Sequence, residues 1–345
     1  MMTRAFITGC AGTELSPDER AFFAEMRPWG LILFSRNCES GAQIRDLVAS
    51  FRECVGHADA PVLIDQEGGR VRRLRPPLVP DYPPGSVYGR LHAHDPQAGA
   101  RAAWLGGRLI GADLAALGIT VDCLPIVDVP APGSSDVIGD RAYGADVDTI
   151  VAIGRALTEG LAAAGVLPVL KHIPGHGRAL VDSHLELPVV EAAPEILREI
   201  DFAPFRALRD LPLAMTAHVV YAALDPRACA THSATVIERV IRGEIGYTGC
   251  LMSDDVSMKA LGGEMGARVR ALFAAGCDLA LHCNGDFAEM RAVAEASPEL
   301  AGGPQARAQA ALAARGQPVP GDLAAMRAEF DALISKVALT GDTAG

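Results

Sequence analysis

Short apolar runs recur along the chain, and each is followed by a turn signal and then by a segment with helical spacing. Val, Ile, Leu and Phe dominate these runs, which is typical of strands buried in a parallel sheet. Eight strands are predicted, over residues 5–8, 30–34, 61–65, 119–127, 166–172, 213–219, 249–254 and 277–283. Their alternation with helices favours an α/β fold of the closed (β/α)8 TIM-type barrel class, with an open doubly wound sheet as the alternative.

The helices between these strands have recognisable ends. Ser16 and Glu19 form an S-x-x-E capping box with Pro17 at the first helical position. Further helices are predicted over 42–55, 97–117, 149–164, 194–209, 235–245 and 266–275. Four segments are followed by a glycine suited to a helix C-cap: Gly118, Gly165, Gly246 and Gly276. We expect a single barrel domain over 1–345, with its core over about 3–300 and C-terminal helices and a tail over 301–345.

The composition indicates a globular protein with a sizeable core. Half of the 345 residues are apolar and 21% are charged, which excludes an intrinsically disordered chain. Acidic residues outnumber basic residues by 42 to 31, which gives a net charge of −11. Because no cluster of Lys and Arg is present to neutralise phosphates, we do not expect a nucleic-acid partner.

The cysteines and the apolar stretches suggest a cytoplasmic protein. Eight cysteines are scattered without a C-x-x-C pair, which predicts reduced thiols that serve as small apolar residues. The first residues lack the apolar core of a secretory signal peptide. The most apolar longer stretch, 102–129, is interrupted by Arg108, Asp113 and Asp122, so it does not predict a membrane span. We therefore expect a soluble protein with no membrane partner.

The densest group of reactive side chains lies in KHIPGHGRALVDSH, residues 171–184, after the fifth predicted strand. His172 and His176 are four residues apart, but the intervening Pro and Gly break any helix and exclude a zincin-type pair. One hypothesis is a cation held in the loop by His176, Asp182 and His184. The other is that Asp182 orients His184 as a general acid or base, because a carboxylate fixes the tautomer of an imidazole.

The seventh predicted strand ends in paired carboxylates, in CLMSDDVSM, residues 250–258. A carboxylate at such a position can attack the anomeric carbon of a sugar and form a covalent intermediate. The alternative is that Ser253 and Asp255 cap the N-terminus of the following helix. Adjacent strand residues point to opposite faces, so Asp254 and Asp255 are expected to have different roles.

A charged loop follows the third predicted strand, in VLIDQEGGRVRRL, residues 62–74. Asp65 can accept hydrogen bonds from substrate hydroxyls, and Arg73 can donate to a carboxylate or an acyl oxygen. The glycine-containing segments of the chain match neither a Walker A loop nor a dinucleotide fingerprint, so no nucleotide cofactor is predicted.

Three segments together, DQEGGRV (65–71), KHIPGHGRALVDSH (171–184) and GCLMSDD (249–255), resemble glycoside hydrolase family 3. The resemblance is to its single-domain bacterial β-N-acetylhexosaminidases of cell-wall recycling, because the KH-x-PGHG-x4-DSH string marks that branch. It extends to LILFSRN (31–37), IGDRAYGAD (138–146) and AHVVYAALDP (217–226), and so covers about residues 28–285.

The resemblance implies a (β/α)8 barrel and specific roles for residues at its site. Asp254 matches the catalytic nucleophile of the family, and His184, in a dyad with Asp182, matches its acid/base. Five residues match positions that hold the N-acetylglucosamine (GlcNAc) unit at the non-reducing end: Asp65, Arg73, Arg141, Lys171 and His172.

The implied activity is that of a retaining exo-β-N-acetylglucosaminidase that acts on muropeptides such as GlcNAc-1,6-anhydroMurNAc-peptides and needs neither metal nor cofactor. A His in place of the usual second carboxylic acid avoids a second anion near the nucleophile. Ile173 stands where the family usually has Phe, which removes no functional group. Phosphate as the acceptor stays open, as do a metal-dependent hydrolase and a non-catalytic sugar-binding barrel.

Overall fold

The computed structural model describes residues 2–181 and 186–340, and its centre is a closed barrel of eight parallel strands. Each strand pairs with its neighbours in the chain, and the last pairs with the first. The strands are β1 Arg4–Thr8, β2 Pro28–Leu33, β3 Val62–Ile64, β4 Val121–Asp122, β5 Leu167–Ile173, β6 Leu213–Thr216, β7 Cys250–Asp255 and β8 Leu279–His282. The (β/α)8 prediction is confirmed, and the open-sheet alternative is wrong.

Two further sheets, each of two short strands, lie outside the barrel. Gln66–Gly68 pairs with Val71–Arg72 in antiparallel fashion directly after β3. Val189–Val190 pairs with Val220–Tyr221 in parallel and joins the loops that follow β5 and β6. Both sheets give regular structure to loops at the C-terminal ends of barrel strands.

Helices surround the barrel and connect its strands. The α-helices are Pro17–Met26, Gly41–Val55, Gly85–His94, Pro96–Ala116, Val147–Ala163, Pro194–Ile196, Ala203–Ala207, Met265–Ala275, Phe287–Ala296, Gly302–Ala313 and Leu323–Thr340. Shorter 3-10 segments are Ser35–Asn37, Gly139–Arg141, Ala230–His232 and Lys259–Leu261, and π-helical segments are Leu197–Asp201 and Val236–Glu244.

The continuous helix predicted over 194–209 is wrong, because the segment divides into three helical pieces. The Phe202 N–H donates to the Leu197 carbonyl oxygen at 2.8 Å, which is π-helical spacing. Pro204 follows two residues later and has no N–H with which to continue an α-helical ladder. The interruption therefore coincides with the proline.

The predicted helix ends are confirmed at both kinds of cap. Ser16 Oγ accepts from the Glu19 N–H at 3.1 Å, and the Ser16 N–H donates to Glu19 Oε2 at 2.8 Å, which forms the capping box. The four glycines predicted to end helices all have φ values between 75° and 109°: Gly118, Gly165, Gly246 and Gly276.

Alternate residues of the barrel strands fill its interior, as the two-residue period of a strand requires. Leu63, Val169 and Met252 belong to the interior cluster. Leu170 and Leu251, which lie between inward positions, pack outward in the larger cluster against the helices. The barrel is therefore a packed core with a second core around it.

The lower end of the barrel, where the strands begin, is closed by the helix Gly302–Ala313. Ala308 and Ala311 of this helix belong to the interior cluster. Arg307 of the same helix donates to both oxygens of buried Asp278, at 2.9 and 2.5 Å. The packed interior therefore includes residues beyond 300, where the core was expected to end.

The segment 301–345, in which C-terminal helices and a tail were expected, contains the helix Leu323–Thr340, which is docked on the outer helices. Phe330 is 2% exposed, and its ring centroid lies 6.0 Å from that of Tyr82 and 6.3 Å from that of Tyr88. Arg327 Nη2 donates to the Tyr82 hydroxyl at 2.6 Å and stacks over its ring. An aromatic cluster therefore holds this helix in place.

The cysteines act as small apolar residues. All eight are free thiols, and five of them are buried: Cys10, Cys123, Cys229, Cys250 and Cys277. Burial raises the pKa of Cys10 and of Cys38 to about 12, so both thiols are protonated at neutral pH. Over residues 2–181 and 186–340, none of the helices combines the length and the apolar composition that crossing a membrane requires.

Candidate active site

A cavity of about 320 Å³ lies at the C-terminal ends of the barrel strands. Val169 of β5 faces the barrel interior, so Lys171, two residues further along, faces the same side at the end of the strand. The same alternation places Asp65 after β3 and Asp254 in β7. The polar part of the cavity lining consists of Asp65, Glu67, Arg73, Arg141, Lys171, His172, His176, Asp254 and Asp255.

Six of the eight predicted site residues are thus brought together in one cavity. The other two, Asp182 and His184, lie outside the described residues. The metal hypothesis for the loop includes both of them and stays a prediction. Among residues 2–181 and 186–340, His, Cys, Asp and Glu side chains form no group of three or more that could hold a metal ion.

Five charged side chains form a continuous charge chain in the cavity, in the order Arg73, Asp65, Lys171, Glu67, Arg141. Arg73 Nη2 donates to Asp65 Oδ2 at 2.8 Å. Lys171 Nζ donates to Asp65 Oδ1 at 3.0 Å and to Glu67 Oε1 at 2.8 Å. Arg141 binds Glu67 through Nε at 2.9 Å and Nη2 at 2.8 Å. Each carboxylate therefore lies between two cations.

The charge chain keeps its members ionised. Burial opposes ionisation of Asp65, but Lys171 and Arg73 outweigh it and hold the pKa of Asp65 below its usual range. Burial is likewise outweighed at Glu67, whose pKa is lowered by Arg141 and Lys171. Burial would lower the pKa of Lys171, but Asp65 and Glu67 raise it. The cavity therefore presents fixed charges rather than neutral polar groups at neutral pH.

A second cluster orients the histidine that follows Lys171. His172 Nδ1 lies 2.7 Å from Asp128 Oδ2, and Asp128 is fully buried. Burial opposes ionisation of Asp128, but His172 and His176 outweigh it and lower its pKa. An ionised Asp128 accepts a hydrogen bond from Nδ1–H, which leaves Nε2 as the ring nitrogen available to the cavity.

The first part of the histidine loop, up to residue 181, is bonded to the segment that follows β4. The His176 N–H donates to Asp128 Oδ1 at 2.6 Å, and the Ala131 N–H donates to the Gly177 carbonyl oxygen at 3.1 Å. A Cβ on Gly177 would overlap the Val129 carbonyl oxygen, so this glycine permits close backbone packing. Gly177 therefore has a packing function in the described part of the loop.

The two adjacent carboxylates of β7 have different surroundings. Asp254 lines the cavity, and its Oδ1 accepts from the Asp255 N–H at 2.8 Å. Asp255, although it also reaches the lining, accepts from Ser257 Oγ at 2.6 Å and from the Cys283 N–H at 3.1 Å. Asp255 thereby joins the ends of β7 and β8, whereas Asp254 lines the cavity. These contacts agree with the expectation that the two carboxylates have different roles.

The alternative that Ser253 and Asp255 cap the next helix is wrong. The next α-helix begins at Met265, with Glu264 at its N-cap position. Ser253 Oγ instead accepts from the Leu281 N–H at 3.0 Å, where the register of β7 against β8 shifts. The serine therefore completes the hydrogen bonding at a β-bulge beside Asp254.

Sequence reasoning did not assign Glu67 and Asp128 to the site. Both lie in polar segments after predicted strands, which was the signal available. Their partners lie 74 residues away for Glu67 and Arg141, and 44 residues away for Asp128 and His172. Only the fold shows that these carboxylates hold site residues.

The family model described as the glycosyl hydrolase family 3 N terminal domain matches residues 12–312 of the chain. The chain belongs to glycosyl hydrolase family 3. This membership confirms the family recognised from the three motifs.

Relatives within the family share both sequence and fold. A β-hexosaminidase from Alkalilimnicola ehrlichii is 39% identical over 288 residues, or 82% of each chain. NagZ from Neisseria gonorrhoeae, in complex with N-trifluoroacetyl-D-glucosamine, superposes with a TM-score of 0.85 at 28% identity over 98% of both chains. A family 3 β-N-acetylglucosaminidase from Paenibacillus sp. FPU-7 gives 0.79 at 31% identity over 99% of this chain and 62% of that one. The protein is a glycoside hydrolase of the β-N-acetylhexosaminidase type.

Proposed function

We propose that this family 3 enzyme is a retaining exo-β-N-acetylglucosaminidase that uses Asp254 as its nucleophile. The observation that carries the proposal is the position of Asp254, on the inward face of β7, at the same cavity as the charge chain. Five residues that line this cavity form the proposed substrate-binding set: Asp65, Arg73, Arg141, Lys171 and His172.

The charge chain retains hydrogen-bonding capacity for a sugar. Asp65 uses one lone pair on each oxygen for Lys171 and Arg73, which leaves two lone pairs for hydroxyl donors. Lys171 uses two of its three N–H donors within the charge chain, which leaves one N–H for a ligand. Such unfilled capacity in a buried cavity supports binding of a polyhydroxylated ligand.

The size and walls of the cavity support a single terminal sugar unit. Its volume of about 320 Å³ lies at the lower end of the range of about 300–1,000 Å³ for small-molecule sites. Phe34, Met215 and Leu281 supply apolar surface against which a sugar ring can pack. A compact cavity at the C-terminal ends of the strands, above a filled barrel interior, favours removal of terminal units over cleavage within a chain.

The reaction divides into two displacements at the anomeric carbon. An oxygen of Asp254 forms a bond to C1 while the bond from C1 to the aglycone oxygen breaks, and that oxygen takes a proton from the acid/base. Water then attacks C1, gives a proton to the same base and releases the Asp254 carboxylate. Two inversions leave the sugar in its original β configuration.

The acid/base is proposed to be His184 in a dyad with Asp182. Both lie outside the described residues, so this assignment rests on their match to the family motif. An imidazole titrates close to neutral pH and carries no negative charge, so it does not repel the Asp254 carboxylate. The described half of the same loop starts at the cavity, where His176 is part of the lining.

The natural substrate is proposed to be a muropeptide of the GlcNAc-1,6-anhydroMurNAc-peptide type, handled in the cytoplasm by one catalytic domain over residues 1–345. The muropeptide rests on the resemblance to cell-wall recycling enzymes. The cytoplasmic location rests on that resemblance and on the eight unpaired thiols. No cofactor is included, because the proposed steps need only the carboxylate, the imidazole and water.

The test is chemical rescue of an Asp254→Gly variant with an aryl β-N-acetylglucosaminide. The variant should lose at least about 10⁴-fold in turnover, the scale on which a nucleophile acts, and azide should restore activity by forming the α-glycosyl azide. Asp255→Asn is the matched control, because activity lost through the fold at the neighbouring carboxylate is not restored by azide. Full activity of Asp254→Gly, or rescue that gives a β-azide, would overturn the assignment.

Two further arms distinguish the related chemistries. Wild type is assayed with and without phosphate, because phosphate as acceptor would yield a sugar 1-phosphate instead of free GlcNAc. It is also assayed in EDTA, where the proposed mechanism predicts unchanged turnover. A sugar 1-phosphate product would reassign the enzyme as a phosphorylase, and loss of turnover in EDTA would favour the metal hypothesis for the histidine loop.

A further inference from the structure

Glu67 lies between Lys171 and Arg141 in the cavity and has no role in the proposed chemistry. Its side chain is 4% exposed, and those of Lys171 and Arg141 are 3% and 11% exposed. Glu67 Oε1 accepts from both Lys171 Nζ and Arg141 Nη2, each at 2.8 Å, and Oε2 accepts from Arg141 Nε at 2.9 Å. One carboxylate therefore contacts two of the proposed sugar-binding side chains.

These contacts fix which donors remain for a ligand. Arg141 uses Nε and one N–H of Nη2 on Glu67, and it donates from Nη1 to the Val137 carbonyl oxygen at 3.0 Å. The planar guanidinium is thereby held at three of its five donors, and two N–H groups remain. Lys171, held by Glu67 and Asp65, has one N–H remaining. The directions of the remaining donors thus depend on Glu67.

We infer that Glu67 is a positioning residue that aligns Lys171 and Arg141 to bind the terminal sugar. The inference rests on the proposed function, since it concerns the same cavity and the same sugar unit. Glu67 itself need not contact the sugar. It acts through the two cations, in the way that a carboxylate behind a metal-binding histidine acts through that ligand.

A glutamine cannot replace Glu67 in this arrangement. All three hydrogen bonds enter the carboxylate from N–H donors, and an amide has one accepting oxygen. If the amide oxygen replaces Oε1, its NH₂ group faces Arg141 Nε. If the amide is reversed, the NH₂ group faces both Lys171 Nζ and Arg141 Nη2. In either orientation a donor faces a donor, so at least one cation must move.

The experiment compares kcat and KM of wild type and Glu67→Gln on an aryl β-N-acetylglucosaminide. The sugar-binding cations act on hydroxyls away from the reacting bond, so we expect KM to rise about tenfold or more while kcat changes less. A purely structural role would reduce the fraction of folded enzyme, which lowers apparent kcat and leaves KM unchanged. An unchanged KM in Glu67→Gln would overturn the inference.

Asp278→Asn provides the matched control. Asp278 is a buried carboxylate that also binds two cations, Arg307 and Arg242, but it lies at the lower end of the barrel. The Asp278→Asn substitution should lower the thermal midpoint of unfolding, as loss of a buried ion-pair partner does, and leave KM at the wild-type value. A rise in KM in Asp278→Asn equal to that in Glu67→Gln would also overturn the inference, because KM would then report stability alone.

Two more variants keep the test decisive if Glu67→Gln folds poorly. Glu67→Asp retains the charge but draws the oxygens back by about one carbon–carbon bond length, ~1.5 Å, so we expect a smaller rise in KM. Glu67→Asp in an Arg141→Met background should raise KM by a smaller factor than in wild type, because one of the two side chains that Glu67 positions is gone. Equal factors in both backgrounds would contradict action through Arg141.

The outcomes separate this inference from the proposed function. If wild type releases no GlcNAc from the aryl glycoside, the proposed function fails, and the positioning role fails with it. If wild type turns over and loses activity in Asp254→Gly while Glu67→Gln keeps its KM, only the positioning role fails.

Discussion

Asp128 gives the sharpest test of how the site is oriented, because it binds a side chain and the backbone at once. It accepts from His172 Nδ1 at 2.7 Å and from the His176 N–H at 2.6 Å, and it is fully buried. Asp128→Asn keeps the shape but replaces one acceptor by an NH₂ donor. If that NH₂ group faces His172, Nδ1 must become the acceptor, and the ring proton moves to Nε2.

The expected magnitude follows from these two contacts. A hydrogen bond to a buried charged group contributes about 1.5–3 kcal/mol. At about 1.4 kcal/mol for each factor of ten, the loss of one such bond lowers kcat/KM by roughly 10- to 150-fold. His172 also binds the sugar in the proposed function, so a change in its orientation should lower kcat/KM mainly through KM.

The assay combines steady-state kinetics with nitrogen NMR of the His172 ring. In Asp128→Asn the resonances should report a proton on Nε2 instead of Nδ1, and kcat/KM should fall within the stated range. His172→Gln is the control background, in which Asp128→Asn should have a smaller effect because only the backbone N–H contacts of residues 172 and 176 remain to be lost. A folded Asp128→Asn enzyme with kcat/KM within about twofold of wild type would refute the argument.

Two further predictions concern stability. Burial, reinforced by His172, lowers the pKa of His176 to about 4, whereas an unfolded histidine titrates near 6.5. As pH falls from 6.5 towards 4, the unfolded chain gains a proton that the folded chain does not, so this residue lowers the free energy of unfolding by up to about 3 kcal/mol. In urea titrations, the free energy of unfolding of His176→Gln should therefore fall less steeply than that of wild type between pH 6.5 and 5. An unchanged slope would contradict the assignment. Phe330→Ala should cost about 3–5 kcal/mol in unfolding free energy with KM unchanged, and an unchanged denaturation midpoint would show that the C-terminal helix adds no stability.

The positions of the main site residues could be predicted because they depend on local pattern. Lys171 and Asp254 end strands whose alternation is readable in the sequence, and parallel strands of a barrel end at one face. Asp65 follows the third predicted strand in the same way. Three residues distant in the chain could thus be placed together without any knowledge of their contacts.

The remaining features depend on contacts that the pattern does not contain. Glu67 was one charge in a charged loop until the fold placed Lys171 and Arg141 beside it. The helix Gly85–His94 was missed because its glycines reduce helical propensity. A Cβ on Gly89 would overlap the Tyr143 carbonyl oxygen, so the packing of this helix requires a glycine at position 89. The same glycine weakens the helical pattern in the sequence.

The closed lower end of the barrel determines the order in which the aglycone, water and the monosaccharide enter and leave the site. Side chains fill the interior below the cavity, and the helix Gly302–Ala313 covers it, so nothing passes along the barrel axis. In the proposed reaction the aglycone must depart first and water must enter by the same mouth. The monosaccharide, seated deepest, leaves last, so free GlcNAc should compete directly with incoming substrate and the enzyme should slow as its product accumulates.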